Sequence, residues 1–113
     1  MSDCLFCRIV AGEIPATVVL ETDDVLAFRD IAPAAPTHVV VVPKAHHQDV
    51  VALTAADPEL AATVLAAGTA VAASEGLGDG FRLVFNTGEH GGQTVFHVHL
   101  HVLGGRHMGW PPG

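Results

Sequence analysis

His97-Val98-His99-Leu100-His101-Val102-Leu103 is the stretch that decides how this chain is read. Three histidines alternate with apolar residues at a period of two. In a β-strand that period sends His97, His99 and His101 to one face and Val98, Leu100 and Val102 to the other. In a helix the same histidines would splay over more than half the circumference, and no face would be apolar. The β-branched residues between them also favour the strand. One face is therefore expected to pack on a core while the other presents a row of imidazoles. A metal site, or a polar face turned to water, is the plainer meaning of such a row. Three histidines on one face, directly after a glycine-rich turn, point instead to chemistry. Neutral imidazole is a nucleophile and a proton carrier near pH 7, and adjacent rings shift one another's pKa.

Immediately upstream, Gly78-Asp79-Gly80 turns the chain into a predicted strand over 81–86. Phe81, Leu83 and Phe85 share one of its faces, and Arg82, Val84 and Asn86 the other. Thr87-Gly88-Glu89-His90-Gly91-Gly92-Gln93-Thr94 joins it to the histidine stretch. Its glycines permit positive φ, so successive N–H groups can converge on an anion, and a phosphate cradle is expected here. Downstream, Gly104-Gly105 ends the strand. Residues 106–113 form an extended tail that carries the single tryptophan, Trp110. An aromatic on such a tail anchors either on its own domain or on a partner.

The N-terminal half supplies the rest of the sheet. Cys4-Leu5-Phe6-Cys7 reads as half of a zinc site, as a redox pair, or as two buried thiols. The redox reading needs a thioredoxin-like βαβ context, which is not found. Leu5, Phe6, Ile9 and Val10 fit a short helix that Gly12 ends, so residues 1–12 are read as a CxxC helix. Residues 17–21 and 25–30 form a predicted hairpin. Asp30 at its end is either a turn residue or an acceptor for a ribose diol, with Ile31 packing on a base. Residues 37–42 are the strongest strand, a β-branched run closed by Pro43. His46 lies just past its end, where functional side chains often sit, and His47 is read as surface.

Asp57-Pro58-Glu59 marks a helix start, with an N-cap, a proline at the first position and an acid in the first turn. The helix is expected to run to Ser74 or Glu75, with Gly76 as its stop. It carries almost no charge between Glu59 and Glu75. A helix without a charged face is expected to be covered on two sides, the second cover being the same helix of another subunit. The order α-β-β-β-α-β-β predicts an α+β domain, with helices on one face of an antiparallel sheet and the other face left for a ligand.

Composition bounds the class. The 113 residues suit one domain over 1–113, and half of them are hydrophobic. A formal net charge of −7 with five Lys and Arg argues against a DNA or RNA binder, while leaving room for a small anionic ligand. Met1-Ser2-Asp3-Cys4 has neither the basic n-region nor the apolar run of a signal peptide, and no run reaches transmembrane length. A cytoplasmic protein with reduced cysteines, acting on neither nucleic acid nor membrane, is the expectation.

These residues together resemble a known family. His97-Val98-His99-Leu100-His101-Val102-Leu103 matches the histidine triad motif, three histidines each followed by an apolar residue. Supporting stretches are Gly12-Glu13-Ile14-Pro15-Ala16, Phe28-Arg29-Asp30-Ile31, Ala35-Pro36-Thr37-His38 and Pro43-Lys44-Ala45-His46. Asn86 with Gly91-Gly92-Gln93, and the Trp110-Pro111-Pro112-Gly113 ending, complete them. The chain is similar to the histidine triad (HIT) family, and to its Hint branch more than to the dinucleoside polyphosphate hydrolases. The resemblance implies a HIT-like fold of about five antiparallel strands, with one long helix and one short N-terminal helix. It also implies a homodimer whose sheet runs across both subunits. The implied activity is hydrolysis of purine nucleoside 5'-phosphoramidates of AMP or GMP, including aminoacyl-AMP-like substrates. His99 resembles the nucleophile, His101 a phosphate-contacting partner, and His97 a residue that orients the site, with His46 as a fourth histidine beside it. Phe28, Asp30 and Ile31 resemble the base and ribose contacts. Asn86, Gly92, Gln93 and Thr94 resemble the phosphate and leaving-group contacts, with Thr94 as a proton relay. Trp110 resembles the residue that approaches the partner subunit's site. Cys4, Cys7, His46 and His97 match a structural Zn2+ set found in some relatives, a full tetrahedral complement. A dinucleoside polyphosphate hydrolase or nucleotidyltransferase, and a non-catalytic nucleotide- or zinc-responsive module, are the alternatives at this point.

Overall fold

Five antiparallel strands form one sheet, and its middle strand is the β-branched run. The computed structural model describes residues 3–113, so the first two residues of the expected 1–12 segment, and with them part of the signal-peptide reading, lie outside the described residues. In chain order the elements are α1 (Leu5–Val10), β1 (Val18–Glu21), β2 (Val25–Arg29), β3 (Thr37–Pro43), α2 (Val50–Ala56), α3 (Pro58–Ser74), β4 (Phe81–Phe85) and β5 (Leu100–Gly104). The spatial order of the strands is β1-β2-β3-β5-β4. No helix among the described residues is long and apolar enough to cross a membrane.

β3 is apolar at every position from Val39 to Val42 because both of its faces are covered. Val39 and Val41 join Val25, Ala27, Leu100 and Val102 beneath Val64, Ala67, Val71 and Ala72 of α3. Val40 and Val42 join Leu26 and Phe28 on the opposite face, where Phe6 of α1 packs on them. Helices thus lie on both faces, which corrects the expectation of a face left wholly open. The reason is Phe6, the one buried residue of α1, which needs an apolar partner and finds it there.

α3 begins and ends as its caps predict. Asp57 Oδ1 accepts from the Leu60 N–H at 3.1 Å, and Gly76 takes φ +75° just past the end. The same Asp57 closes α2, its N–H donating to the Leu53 carbonyl at 2.8 Å. α2 is absent from the sequence-based order. Its signal was Asp49, whose Oδ1 caps the Ala52 N–H at 2.8 Å, but the Val50-Val51 pair masks it by favouring extended chain. Gly68 faces this chain's own sheet rather than open space: a Cβ there would lie 2.6 Å from Leu100 Cδ2. Ala62, Leu65, Ala66, Thr69 and Ala70 remain on the exposed side of α3 and carry no charge.

β5 is shorter than the histidine row predicts, because it starts at Leu100 and leaves His97 to His99 outside the ladder. Pro43 has no N–H to extend the pairing, and its carbonyl accepts from the ring of His97 at 2.8 Å instead. The Val98 N–H donates to the His47 carbonyl at 2.8 Å, which holds this segment against the turn after β3. The alternation survives without the ladder: Val98 packs beside Leu53 and Ala61 on the helix side, while the histidines lie on the other.

Candidate functional site

The imidazoles gather where β3 and the stretch leading into β5 run side by side. His101 pairs with Val40 of β3 and with Val84 of β4. His38 lies two residues before Val40, so its side chain shares that face and sits diagonally from His101. His38 Nε2 is 2.9 Å from His101 Nδ1, and Asp30 Oδ2 is 3.5 Å from the same His38 nitrogen. His99 and His101 have ring centroids 4.9 Å apart. At the other end His46 and His97 are also 4.9 Å apart.

The backbone assigns the tautomers, because a carbonyl only accepts and an amide N–H only donates. His97 Nε2–H donates to the Pro43 carbonyl, so its Nδ1 is bare. His99 Nδ1–H donates to the His97 carbonyl at 2.8 Å, so its Nε2 is bare. The Ala34 N–H donates to His38 Nδ1 at 3.0 Å, so His38 Nε2–H donates onward to His101 Nδ1. His101 therefore carries its proton on Nε2, a buried atom with no hydrogen-bond partner among the described residues. The site pairs an unprotonated nitrogen on His99 with an unsatisfied N–H on its neighbour. An orphan donor of this kind calls for an acceptor supplied by a ligand.

Burial keeps these rings neutral. His97 is pushed down to about 4 by desolvation first, with the neighbouring rings adding to it. His101 is pushed down to about 4 by desolvation and then by His99 and His38, against an opposing pull from Asp30. His99 and His38 are also lowered, again mainly by burial. Neutral at pH 7, His99 keeps the lone pair on its bare Nε2 for use as a base or nucleophile.

A second cluster meets the first at His97. Its bare Nδ1 lies 3.3 Å from Cys4 Sγ, 3.4 Å from Cys7 Sγ and 3.2 Å from His46 Nδ1. Cys7 Sγ is 3.4 Å from His46 Nδ1. Ordinary Zn–S and Zn–N bonds put tetrahedral ligand atoms roughly 3.3–3.6 Å apart. The four donors fit a zinc ion in number, in type and in spacing.

The other sequence-predicted residues divide. Phe28 is buried on the histidine face beside Phe6. Asp30 fills its turn reading, Oδ1 capping the turn through the Ala32 N–H at 2.8 Å, while Oδ2 faces His38. Ile31 is fully exposed beside it. Asn86 lines a cleft of about 480 Å³ with Arg82, Val84, Leu103 and Arg106, on the sheet face that carries His101. Thr94 is exposed on the connecting loop, and Trp110 is 83% exposed on the tail.

One expectation needs correction. The N–H groups of Gly91, Gly92 and Gln93 donate to the carbonyls of Gly88 and Glu89, so these three do not form an anion cradle. The Gln93 side chain is likewise engaged within the protein. Its Oε1 accepts from the Gly88 N–H, and its Nε2 donates to the Gln48 and Val95 carbonyls. Gly91 is fixed by sterics, since a Cβ would sit 2.3 Å from the Thr87 carbonyl oxygen. His46 stands beside His97 and the thiols, as the four-donor set expects, and the histidine that contacts His101 is His38. Sequence reasoning assigned His38 no role. The available signal was its period-two spacing from Val40 and Val42, which puts it on the face that receives the histidine row.

The model for the HIT domain matches residues 11–108. The chain belongs to the HIT family. Among solved structures, a HIT family hydrolase from Legionella pneumophila superposes with a TM-score of 0.95 at 54% identity, covering 98% of this chain and 100% of that one. A Zn-bound histidine triad family protein from Mycobacterium smegmatis superposes at 0.82 with 39% identity, covering 92% and 76%. The Arabidopsis thaliana adenylylsulfatase HINT1 is 44% identical over 115 residues, covering 99% of this chain and 78% of its own length. The five-stranded antiparallel sheet with its helices is thus a HIT fold, and the triad is the part of this HIT protein that its tautomers arm.

Proposed function

We propose that this HIT protein is a nucleotide-binding hydrolase that cleaves the P–N bond of purine nucleoside 5'-phosphoramidates, AMP-lysine or aminoacyl-AMP-like, through a nucleotidyl-His99 intermediate. The observation that carries the proposal is the tautomer pair: a bare Nε2 on His99 beside a partnerless Nε2–H on His101. The relatives named as a hydrolase and as an adenylylsulfatase support the reaction class.

In this reading His99 Nε2 attacks phosphorus and forms a P–N bond to the enzyme, while the bond to the leaving amine breaks. His101 Nε2–H donates to a phosphoryl oxygen and stabilises the charge that builds there. The amine departs with a proton relayed through Thr94 or a neighbouring ring. Water then attacks phosphorus, displaces His99 and releases the nucleoside monophosphate. Phe28 and Ile31 flank the base, Asp30 accepts from the ribose hydroxyls, and Asn86 borders the phosphate. His38 and Asp30 set the His101 tautomer, a role that geometry supports and that pairs with ribose binding at the other carboxylate oxygen.

Cys4, Cys7, His46 and His97 would hold zinc as a structural cross-link between α1 and the sheet. With its Nδ1 so engaged, His97 orients His99 through its carbonyl rather than moving protons. The uncharged outer side of α3 suits the same helix of a second copy, and an exposed Trp110 suits a reach toward that copy's site. Reduced thiols suit a cytoplasmic setting.

An adenylyl sulfate is the second substrate reading, favoured by the name of the Arabidopsis relative. It needs the same attack by His99 but no proton on the leaving group. The test is hydrolysis of an adenosine phosphoramidate with a fluorescent amine, beside adenylyl sulfate, on wild type and His99→Ala. Loss of turnover in the variant, with AMP binding retained, is expected. A variant as active as wild type overturns the nucleophile assignment, and turnover of adenylyl sulfate alone moves the substrate to the second reading.

A further inference from the structure

We propose that α1 is a positioning element for His99: the Cys4, Cys7, His46 and His97 donors clamp the helix to the sheet, and Phe6, carried between the two thiols, fixes the plane of the His99 imidazole. The inference rests on the reading of His99 as nucleophile.

α1 is six residues long, and a helix of that length does not sustain itself in water. Partly buried Ile9 and Val10 pack on the same core as Phe6, and two attachments bear on His99. One is Phe6, its one buried residue. The other is the donor set, in which both thiols reach His97 Nδ1 and Cys4 Sγ also accepts from the Cys7 N–H at 3.4 Å.

Phe6 stands against the reacting imidazole. Its ring centroid is 4.9 Å from that of His99 with the planes at 85°, an edge-to-face contact within the favoured range. Phe28 backs it at 5.5 Å and 70°. His99 is then held at three points: its Nδ1–H by the His97 carbonyl, and its ring by Phe6 and by the His101 ring at 66°. The first two belong to the clamp. His97 is a donor of the set, and Phe6 is spaced by the two thiols. An imidazole that turned about its χ2 would carry Nε2 away from the reacting atom, and Phe6 occupies the space that such a turn needs. Phe6 has no polar atom, so it acts by shape and not by chemistry.

Three roles for Phe6 separate in kinetics. A purely structural phenylalanine affects melting and leaves the rate per folded molecule unchanged. A wall of the nucleotide site affects KM. A positioning residue affects kcat, because a displaced nucleophile attacks more slowly once the substrate is bound.

The test uses the zinc-loaded full chain and Phe6→Leu, which keeps an apolar side chain and removes the ring. Zinc content, kcat, KM and the single-turnover rate of protein nucleotidylation are measured with an adenosine phosphoramidate. A fall of about tenfold in kcat and in the single-turnover rate is expected, with KM within about twofold and zinc retained. A raised KM with kcat preserved overturns the proposal, as does an unchanged kcat. The second readout needs no turnover. Histidine-ring NMR signals are compared in zinc-loaded wild type, in wild type stripped of metal under reducing conditions, and in Phe6→Leu. The His99 ring is expected to give one sharp set of signals in the first and shifted or exchange-broadened signals in the other two. Identical His99 signals in loaded and stripped wild type overturn the proposal even if Phe6→Leu fails to fold. If His99→Ala keeps full activity while these shifts appear, the nucleophile reading fails and the clamp stands.

Discussion

His38 donates from Nε2 to His101 Nδ1 across 2.9 Å, and this bond places the His101 proton on the far side of its ring. The chain of assignment starts at a backbone amide, the N–H of Ala34, and ends at the buried Nε2–H of His101. Both nitrogens of His38 are engaged, so neither tautomer choice is left to solvent.

His38→Ala is therefore expected to lower kcat/KM about 10–100-fold, because His101 can then hold its proton on Nδ1 and present a lone pair to the phosphoryl oxygen. His38→Gln should recover part of the loss, since its amide can donate to the same nitrogen. Steady-state kinetics on the two variants, with circular dichroism to confirm folding, make the comparison. Equal activity in wild type and His38→Ala would remove the relay from the mechanism.

The acid limb of kcat/KM is expected to lie below the ordinary histidine value of 6.5. His101 is lowered to about 4 and stays neutral as pH falls through 6, and burial shifts His99 in the same direction. Stability moves in the same window. Unfolded histidines take up protons below about 6.5 while His101 resists until about 4, so the unfolded state binds more protons between those values. Folding free energy should fall across that interval by on the order of 2 kcal/mol, a figure discounted for the partial exposure of His101. Urea melts at pH 7, 5.5 and 4.5 read it directly, and a stability that rose on acidification would contradict the burial argument.

Gly68→Ala is expected to destabilise the protein by about 1–3 kcal/mol, although alanine is the better helix former. The new methyl would meet Leu100 Cδ2 at 2.6 Å, and Leu100 is fully buried against α3. Ala66→Gly, on the side of the same helix away from the sheet, should cost about 1 kcal/mol through propensity without any clash against Leu100. Thermal unfolding of both variants separates packing from propensity.

Zinc is expected at one ion per chain, bound by thiolate and imidazole. Metal analysis after gel filtration tests the count. Cys7→Ser should lower the zinc retained and the melting temperature together. Free zinc at 100 times its Kd would stabilise the fold by about 2.7 kcal/mol, so a chelator titration should shift the melting curve by a comparable amount. Full stability and full zinc content in Cys7→Ser would dismiss the four-donor set.

Much of the architecture was legible because it rests on local chemistry. The run Val39 to Val42 could only be a buried strand, and Asp57-Pro58 could only open a helix. α2 was not legible, because its cap residue precedes a β-branched pair whose own preference is extended. The candidate site was half legible. The histidine alternation sorted the rings to one face. It did not show that the ladder stops at Leu100, since the cause lies in Pro43, more than fifty residues away.

The sequence by itself determined which residues are chemical and which are apolar, and hence the two faces of every strand: periodicity is a property of neighbours along the chain. Only the tertiary structure decided which histidine serves which cluster. The sequence singled out His46 as the companion of the triad and gave His38 no role, and it is the pairing of β3 with β5 that sends His38 to His101, while the turn after Pro43 holds His46 with the thiols. The protons were decided in the same way. A tautomer is set by the group that meets the ring: Ala34 and the His97 carbonyl are neighbours along the chain, but the Pro43 carbonyl that fixes His97 and the His38 ring that fixes His101 come from segments more than fifty residues away that only folding brings within 3 Å.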